Sequence, residues 1–274
     1  MKLGITNNAY NATWENPDGY RKMREHGYEY ADFQELTNRR SPYYTDRTLV
    51  YREREAAEAA GVHFYQLHSL WPTRETTEEG WEEKVHYMEM ALEIAPLLGC
   101  PRVVFHSDMP LGWDKDDEEL AWHSNERFVT RVLPAAERAN VILCIENMPM
   151  KALSFSRVEN MIRLVEQFDH PLFGMCLDTG HAAVFGDDCG DAVRRIGRHL
   201  QALHVHDNDG SADQHLLPGQ GVIDWERFRV SLHEVGFDGS FSFETAPSRE
   251  LPPAERETAF LSLAAFGKRM IEKP

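Results

Sequence analysis

The chain has 274 residues, 42% hydrophobic and 11% aromatic, enough apolar surface for a sizeable core in one large domain or two small ones. Forty-five acidic against 29 basic residues leave a formal net charge of −16, which repels nucleic acid and anionic membrane, because phosphate binding relies on clustered lysine and arginine. No apolar run approaches the roughly 18 residues of a membrane span. The Met-Lys-Leu-Gly-Ile start reads as a strand and not as a signal peptide, and Cys100, Cys144, Cys176 and Cys189 lack CxxC spacing and read as free thiols; a cytoplasmic protein is expected.

Short apolar runs alternate with amphipathic stretches from end to end. The predicted strands are Lys2–Thr6, Tyr30–Leu36, His63–His68, Arg102–His106, Val141–Glu146, Phe173–Asp178, Ala202–His206 and Ser240–Glu244. The first crossover helix, Pro17–His26, is short. Further helices are predicted over Asp46–Ala60, around Trp81, Val85, Met88 and Leu92, which repeat on one face, and over Asp117–Ala139, Arg157–Phe168, Asp187–His199, Trp225–Val235 and Ala254–Met270. Gly61, Gly99 and Gly236 stand where a helix C-terminal glycine is expected, and Pro134 is expected to bend or divide the fourth helix. Eight strands alternating with helices predict parallel pairing and closure into a (β/α)8 TIM barrel of the α/β class, a single domain over residues 1–274. An open doubly wound sheet is the competitor, but it would gather ligands at one switch point and not from many strands.

The strand ends carry the chemistry. His68 closes the third strand, His106 the fourth, Glu146 the fifth, Asp178 the sixth with His181 three residues on, His204 and His206 the seventh, and Glu244 the eighth. After the seventh strand comes a loop rich in Asp and Gly, with Asp213 and His215 two residues apart, turn residues Pro218, Gly219 and Gly221, and Asp224 as N-cap of the next helix. A lone histidine at a strand end is ordinarily hydrogen-bonded structure, and Asp, Asn and Gly are ordinary turn residues. In a barrel, however, all these ends meet on one face, where active sites of the fold are built. Burying so many carboxylates and imidazoles together unpaired is costly, no lysine or arginine occurs at these strand ends, and a divalent cation resolves the cost. Three carboxylates with one imidazole suit Mn²⁺, Mg²⁺ or Co²⁺; more histidines shift the preference toward Zn²⁺.

The motifs Ile145-Glu146-Asn147, Leu177-Asp178-Thr179-Gly180-His181, His204-Val205-His206-Asp207, Asp213-Gln214-His215-Leu216-Leu217-Pro218-Gly219-Gln220-Gly221 and Phe243-Glu244 resemble the sugar phosphate isomerase/epimerase superfamily of xylose isomerase-like barrels, which also contains the endonuclease IV type of repair enzyme. The resemblance covers nearly the whole chain. Its ketose 3-epimerase branch implies one divalent metal held by Glu146, Asp178, His204 and Glu244, with His181 matching a substrate-contacting histidine. His215 stands where those epimerases have an arginine. The repair-enzyme branch implies further metal ligands at His68, His106, His181, Asp213 and His215, and so a multinuclear zinc phosphodiesterase. Against that branch, Glu-Asn-Met-Pro replaces its Gly-rich continuation, Gly-His follows Asp-Thr in place of Cys-His, and the net charge opposes a DNA-binding face.

The resemblance therefore implies a metal-dependent isomerase or epimerase of a small sugar or polyol, working by proton abstraction through a metal-stabilised enediolate. Glu146 and Glu244 would remove and return the proton, while His181, His206 and His215 bind substrate oxygens. Trp14, Trp71 and Trp113 fall in loops that could wall the pocket, or are plain loop-packing aromatics. A dehydratase on an inositol or keto-sugar shares the same first step. No Gly-rich cradle or arginine cluster marks a phosphate site; Arg74 and Arg249 stand singly in loops. The expected partner is a small molecule, and a homodimer accords with barrels of this kind.

Overall fold

Residues 1–71 and 76–273 are described in the computed structural model of the chain. Arg74 lies outside the described residues. The strands are β1 (Lys2–Thr6), β2 (Tyr30–Phe33), β3 (His63–His68), β4 (Arg102–His106), β5 (Ile142–Glu146), β6 (Phe173–Asp178), β7 (Leu200–His204) and β8 (Ser240–Phe243). The helices are α1 (Pro17–His26), α2 (Arg47–Ala59), α3 (Glu78–Leu98), α4 (Glu118–Ala139), α5 (Val158–Phe168), α6 (Thr179–Phe185), α7 (Cys189–Ile196), α8 (Trp225–Glu234) and α9 (Pro253–Ile271). Every strand pairs in parallel with its sequence neighbour, and β1 also pairs with β8. Val205 N–H donates to the Ser242 carbonyl at 2.9 Å and Glu244 N–H to the Val205 carbonyl at 3.0 Å, which joins β7 to β8 and completes the expected TIM barrel.

Alternation along the strands sorts side chains by destination. Val103, Phe105, Leu143, Ile145, Met175, Leu177, Leu203, Phe241 and Phe243 belong to the large buried cluster shared with the helices. The alternate residues of β4 to β7 face the barrel axis, where Val104, Cys144, Cys176 and Ala202 form a small layer of their own. Each of these four lies two residues before His106, Glu146, Asp178 or His204, so the polar residues are the next layer up, at the C-terminal pole. The register completes the placement: His106 is paired with Glu146 across β4 and β5, and Asp178 with His204 across β6 and β7.

Helix starts follow their caps. Asp46, Thr77, Asp117, Asp178, Asp188 and Asp224 each accept a hydrogen bond from an amide of the helix they precede. Gly99 and Gly236 take positive φ (77° and 69°) just past their helices, as expected of C-terminal glycines.

Several boundaries differ from expectation. β2 stops at Phe33 and not Leu36, because Gln34 N–H turns away to the Asn7 side chain. β7 is displaced by two residues, ending at His204 and not His206; His206 N–H is taken by the Thr179 hydroxyl. β8 ends at Phe243, so Glu244 opens the following loop. Pro134 does not divide α4, since both it and Thr130, whose carbonyl loses its helical donor, are exposed to water. The helix α6 was not predicted; it begins directly on Asp178, whose side chain caps it. All four cysteines are free and buried, and no helix among the described residues is long and apolar enough to cross a membrane.

Phe243 packs at the barrel closure against Tyr28, Phe241 and Phe266 and against the Gly267 backbone. Phe243→Ala is expected to destabilise the protein by about 3–5 kcal/mol in urea unfolding. A loss under about 1 kcal/mol would show that this ring does not hold the closure.

Candidate metal centre at the C-terminal pole

The pole gathers Glu146, Asp178, His204 and Glu244 so that one ligand atom from each lies within 4.8 Å of the others. His204 Nδ1 faces Glu146 Oε1 at 2.6 Å and Glu244 Oε2 at 3.5 Å. A second group shares Glu146: His68 Nε2 and His106 Nε2 stand 3.0 Å apart and lie 3.2 and 3.1 Å from Glu146 Oε2. On the other side, His181 Nε2 and His215 Nε2 both lie 3.3 Å from Asp213 Oδ2. All nine residues singled out as metal ligands are thus brought to one pole.

The chemistry of this donor set fits a bound cation. Four of the histidines have one ring nitrogen committed to an acceptor behind them. His68 Nδ1 meets the Ser69 carbonyl at 2.8 Å, His181 Nδ1 the Asn147 carbonyl at 2.7 Å, His215 Nδ1 the Glu244 carbonyl at 2.7 Å, and His204 Nε2 the Asp32 carboxylate at 3.0 Å. Carbonyls and carboxylates only accept, so those nitrogens carry the protons and the opposite nitrogens turn toward the carboxylates. This is the arrangement of metal-ligating imidazoles. Among the described residues, Glu146, Asp178, Glu244, Asp213 and Asp32 form ion pairs with histidines and with no lysine or arginine. The donors suit Mn²⁺, Co²⁺ or Mg²⁺ at the carboxylate-rich set and Zn²⁺ where imidazoles predominate.

Without a cation the protons compensate in its place. Burial alone would depress the His181 and His215 imidazoles, yet Asp178, Asp213 and Glu244 push them up to about 10 and about 9. His204 is likewise raised against its burial, while burial pushes His106 down to about 4. Burial raises Glu244, whereas the surrounding imidazoles hold Glu146 and Asp178 below the usual carboxylate range despite theirs. A cation held by His204 must displace any proton on its Nδ1, the nitrogen that faces Glu146 and Glu244.

His206, expected to contact substrate, is fully buried. Its Nε2 lies 3.0 Å from Asp178 Oδ2, and its ring stacks on His215 at 3.9 Å. A side chain at Gly180 would strike that ring, so the glycine of the Asp-Thr-Gly-His motif makes room for His206. Trp71 packs on His106 at 4.2 Å and stacks with Trp113, which is 52% exposed. Trp14 packs under the Arg52 guanidinium instead.

Sequence reasoning missed the residues that hold the ligands. Asp32, fully buried in β2, is bridged by Gln66 Nε2 at 2.9 Å and fixes the His204 tautomer. The signal was an acid between apolar neighbours in Tyr30-Ala31-Asp32-Phe33. Asn147 clamps the Asp178 backbone from both sides, at 2.8 and 3.0 Å. Asp207 accepts from the amides of Gly219, Gly221 and Ile223 and from the Trp225 indole, and so ties down the loop that carries Asp213 and His215. His215 itself is held at φ 49°, a left-handed conformation that non-glycine residues seldom adopt.

The sequence model of the xylose isomerase-like TIM barrel family matches residues 20–266, and the chain belongs to that family. D-psicose 3-epimerase of Ruminiclostridium cellulolyticum is 28% identical over 141 residues, 51% of this chain and 46% of that one. The crystal structure of D-psicose 3-epimerase with D-tagatose from Clostridium cellulolyticum H10 superposes with a TM-score of 0.80 over 100% of both chains, at 18% identity. The structure of the IolI protein with a bound zinc atom gives 0.73 over 98% of this chain and 96% of that one, also at 18% identity. At such identities the structural likeness speaks for the fold. The chain spans 46% to 63% of the length of the first three curated relatives it matches.

If Asp32 sets the His204 tautomer, Asp32→Asn should weaken divalent metal binding about 10–100-fold while leaving the far-UV circular dichroism of the metal-free protein unchanged. Titration calorimetry giving the wild-type dissociation constant would remove Asp32 from the site.

Proposed function

We propose that the protein is a divalent-metal-dependent isomerase or epimerase acting on a small sugar or polyol-type substrate. The observation that carries this reading is the convergence of Glu146, from β5, and Glu244, just past β8, on the His204 imidazole within one buried donor set. The family membership and the names of the relatives, which include ketose 3-epimerases and an inosose isomerase, support it.

A divalent ion held by Glu146, Asp178, His204 and Glu244 would supply Lewis acidity toward a substrate carbonyl oxygen. The residues of the chain then divide the remaining work. Glu146 and Glu244 reach the pole from opposite sides of the barrel. One takes the proton from the carbon beside the carbonyl, and the other returns a proton to the opposite face for epimerisation. Asp178, fixed by His206 and by the His181 amide, and His204, fixed by Asp32, hold position without moving protons. His181 and His215 turn their Nε2 atoms toward Asp213, where substrate oxygens would find donors. Trp71, lying on His106, and Trp113 beyond it offer a flat apolar wall for sugar C–H groups.

This reading predicts that the metal-loaded protein incorporates solvent deuterium at the carbon beside the carbonyl of a ketose substrate. Glu146→Gln and Glu244→Gln are expected to slow that exchange about 10²–10⁴-fold. Variants that still bind metal and exchange at the wild-type rate would overturn the mechanism.

A second reading rests on His68 and His106, whose ring nitrogens meet on the Glu146 oxygen that faces away from His204. With the Asp213 group they would complete a multinuclear zinc centre for phosphodiester hydrolysis. Elemental analysis of the purified protein separates the two: a single ion per chain fits the isomerase reading, and two or more zinc ions with diesterase turnover fit the hydrolase.

A further inference from the structure

A groove of about 510 Å³ opens beside the barrel mouth, between the loop after β1, helix α1, the loop after β8 and the first turns of α9. Those two loops follow the C-terminal ends of their strands, so the groove lies on the same face as the donor cluster. Three cations line it: Lys22, Arg249 and Arg256. None of them forms an ion pair among the described residues, although the chain carries 45 acidic side chains. Arg249 Nη2 donates only to the Asn11 side chain at 2.9 Å, and Arg256 Nη2 to the Ala9 carbonyl at 3.4 Å. Arg256 Nε is buried with no hydrogen-bond partner among the described residues.

The two carboxylates on the same wall are engaged elsewhere. Asp18 pairs with Arg21, and Glu257 Oε1 lies 2.8 Å from His26 Nε2. Asn11 and Asn16 add amide groups to the lining, and Pro253 opens α9, a helix without a side-chain cap. Three guanidinium or ammonium side chains lining one concave surface, none of them ion-paired among the described residues, suit an anion with several acceptor oxygens. The volume suits one small group and not a polymer. Because the cations come from positions 22, 249 and 256, no single stretch of sequence advertises them.

We propose that this groove binds a phosphate group, as inorganic phosphate or as the phosphate of a small phosphomonoester. The claim goes beyond the isomerase reading and does not need it, because binding can be measured without turnover. The test is calorimetric titration of inorganic phosphate onto the metal-loaded protein, with Lys22→Glu and Arg249→Ala, both at exposed positions, as the variants. Binding that saturates, weakens with added sodium chloride and falls roughly tenfold or more in each variant is expected. No saturable heat, or equal dissociation constants in the wild type and both variants, would overturn the proposal. Arg256→Gln, monitored by thermal melting because Arg256 also packs over Phe260, should act in the same direction.

The source of the phosphate is read from deuterium exchange. If it belongs to the substrate, a ketose phosphate exchanges with a lower KM than the free ketose, and Arg249→Ala removes that advantage while sparing the free ketose. If it belongs to a separate ligand, inorganic phosphate changes the exchange rate of the free ketose. Failure of the exchange assay with any ketose would count against the isomerase reading and leave the calorimetric result standing.

Discussion

The pole depends on one buried carboxylate. Glu146 is 1% exposed, and its two oxygens face different partners: Oε1 faces His204, and Oε2 faces His68 and His106. A carboxylate so placed, ion-paired with no lysine or arginine among the described residues, must take up a proton or be matched by positive charge. The fold supplies matching imidazoles and then constrains each from behind. The clearest chain of support runs from the Leu203 carbonyl to Gln66, from Gln66 to Asp32, from Asp32 to His204 and from His204 to Glu146. Each link fixes the next at low dielectric, where a misplaced partner would leave a buried charge uncompensated.

The barrel interior makes this possible by being narrow below the ligands. Val104, Cys144, Cys176 and Ala202 are small, and Gly4, Ser240 and Ser242 crowd together on the β1–β8 side. Bulk is moved to the outer faces of the strands, where Phe105, Phe241 and Phe243 meet the helices. The ligands therefore stand on a tightly closed floor. Their loops are held by satisfied polar groups as well as by apolar packing: Asn147 holds the start of α6, and Asp207 holds the Pro218–Gly221 turn. The left-handed backbone at His215 persists because its carbonyl accepts from the Thr245 hydroxyl and its Nδ1 is bound to Glu244.

The strands were legible because parallel strands buried on both faces read as continuous apolar runs, and His68, His106, Glu146, Asp178 and His204 stood out because each ends such a run. What could not be read follows from the same alternation. Asp32 and Gln66 point to the axis from strands whose runs look apolar overall, and nothing local shows that the two meet each other behind His204. His206 was expected at the substrate, beside the ligand His204, because strand parity puts both on one face. The chain leaves the strand at His204, however, and the next histidine turns behind Asp178. The helix α6 escaped notice because its only marker, Asp178, reads first as a ligand. In the β1–β8 groove Lys22 is separated from Arg249 and Arg256 by more than two hundred residues, so only the closure of the barrel brings it to them.

The charge distribution ties these features together. A net charge of −16 repels a polyanion at long range, and recognition of a nucleic-acid backbone needs a row of cations along an extended surface. Here many cations instead pair with carboxylates on the helices, as Arg127 does with Glu78 and Arg194 with Glu234, and three line one small concavity. Positive charge at the pole is supplied by imidazoles, which, unlike guanidinium groups, can release their protons to solvent when a metal takes their place. Under the proposed readings such a surface would take a small anion at one place and a divalent cation at another, and its net charge opposes the approach of long phosphodiester chains. On these grounds the donor set around Glu146 is matched to small-molecule chemistry, even though its histidines are numerous enough to hold more than one ion.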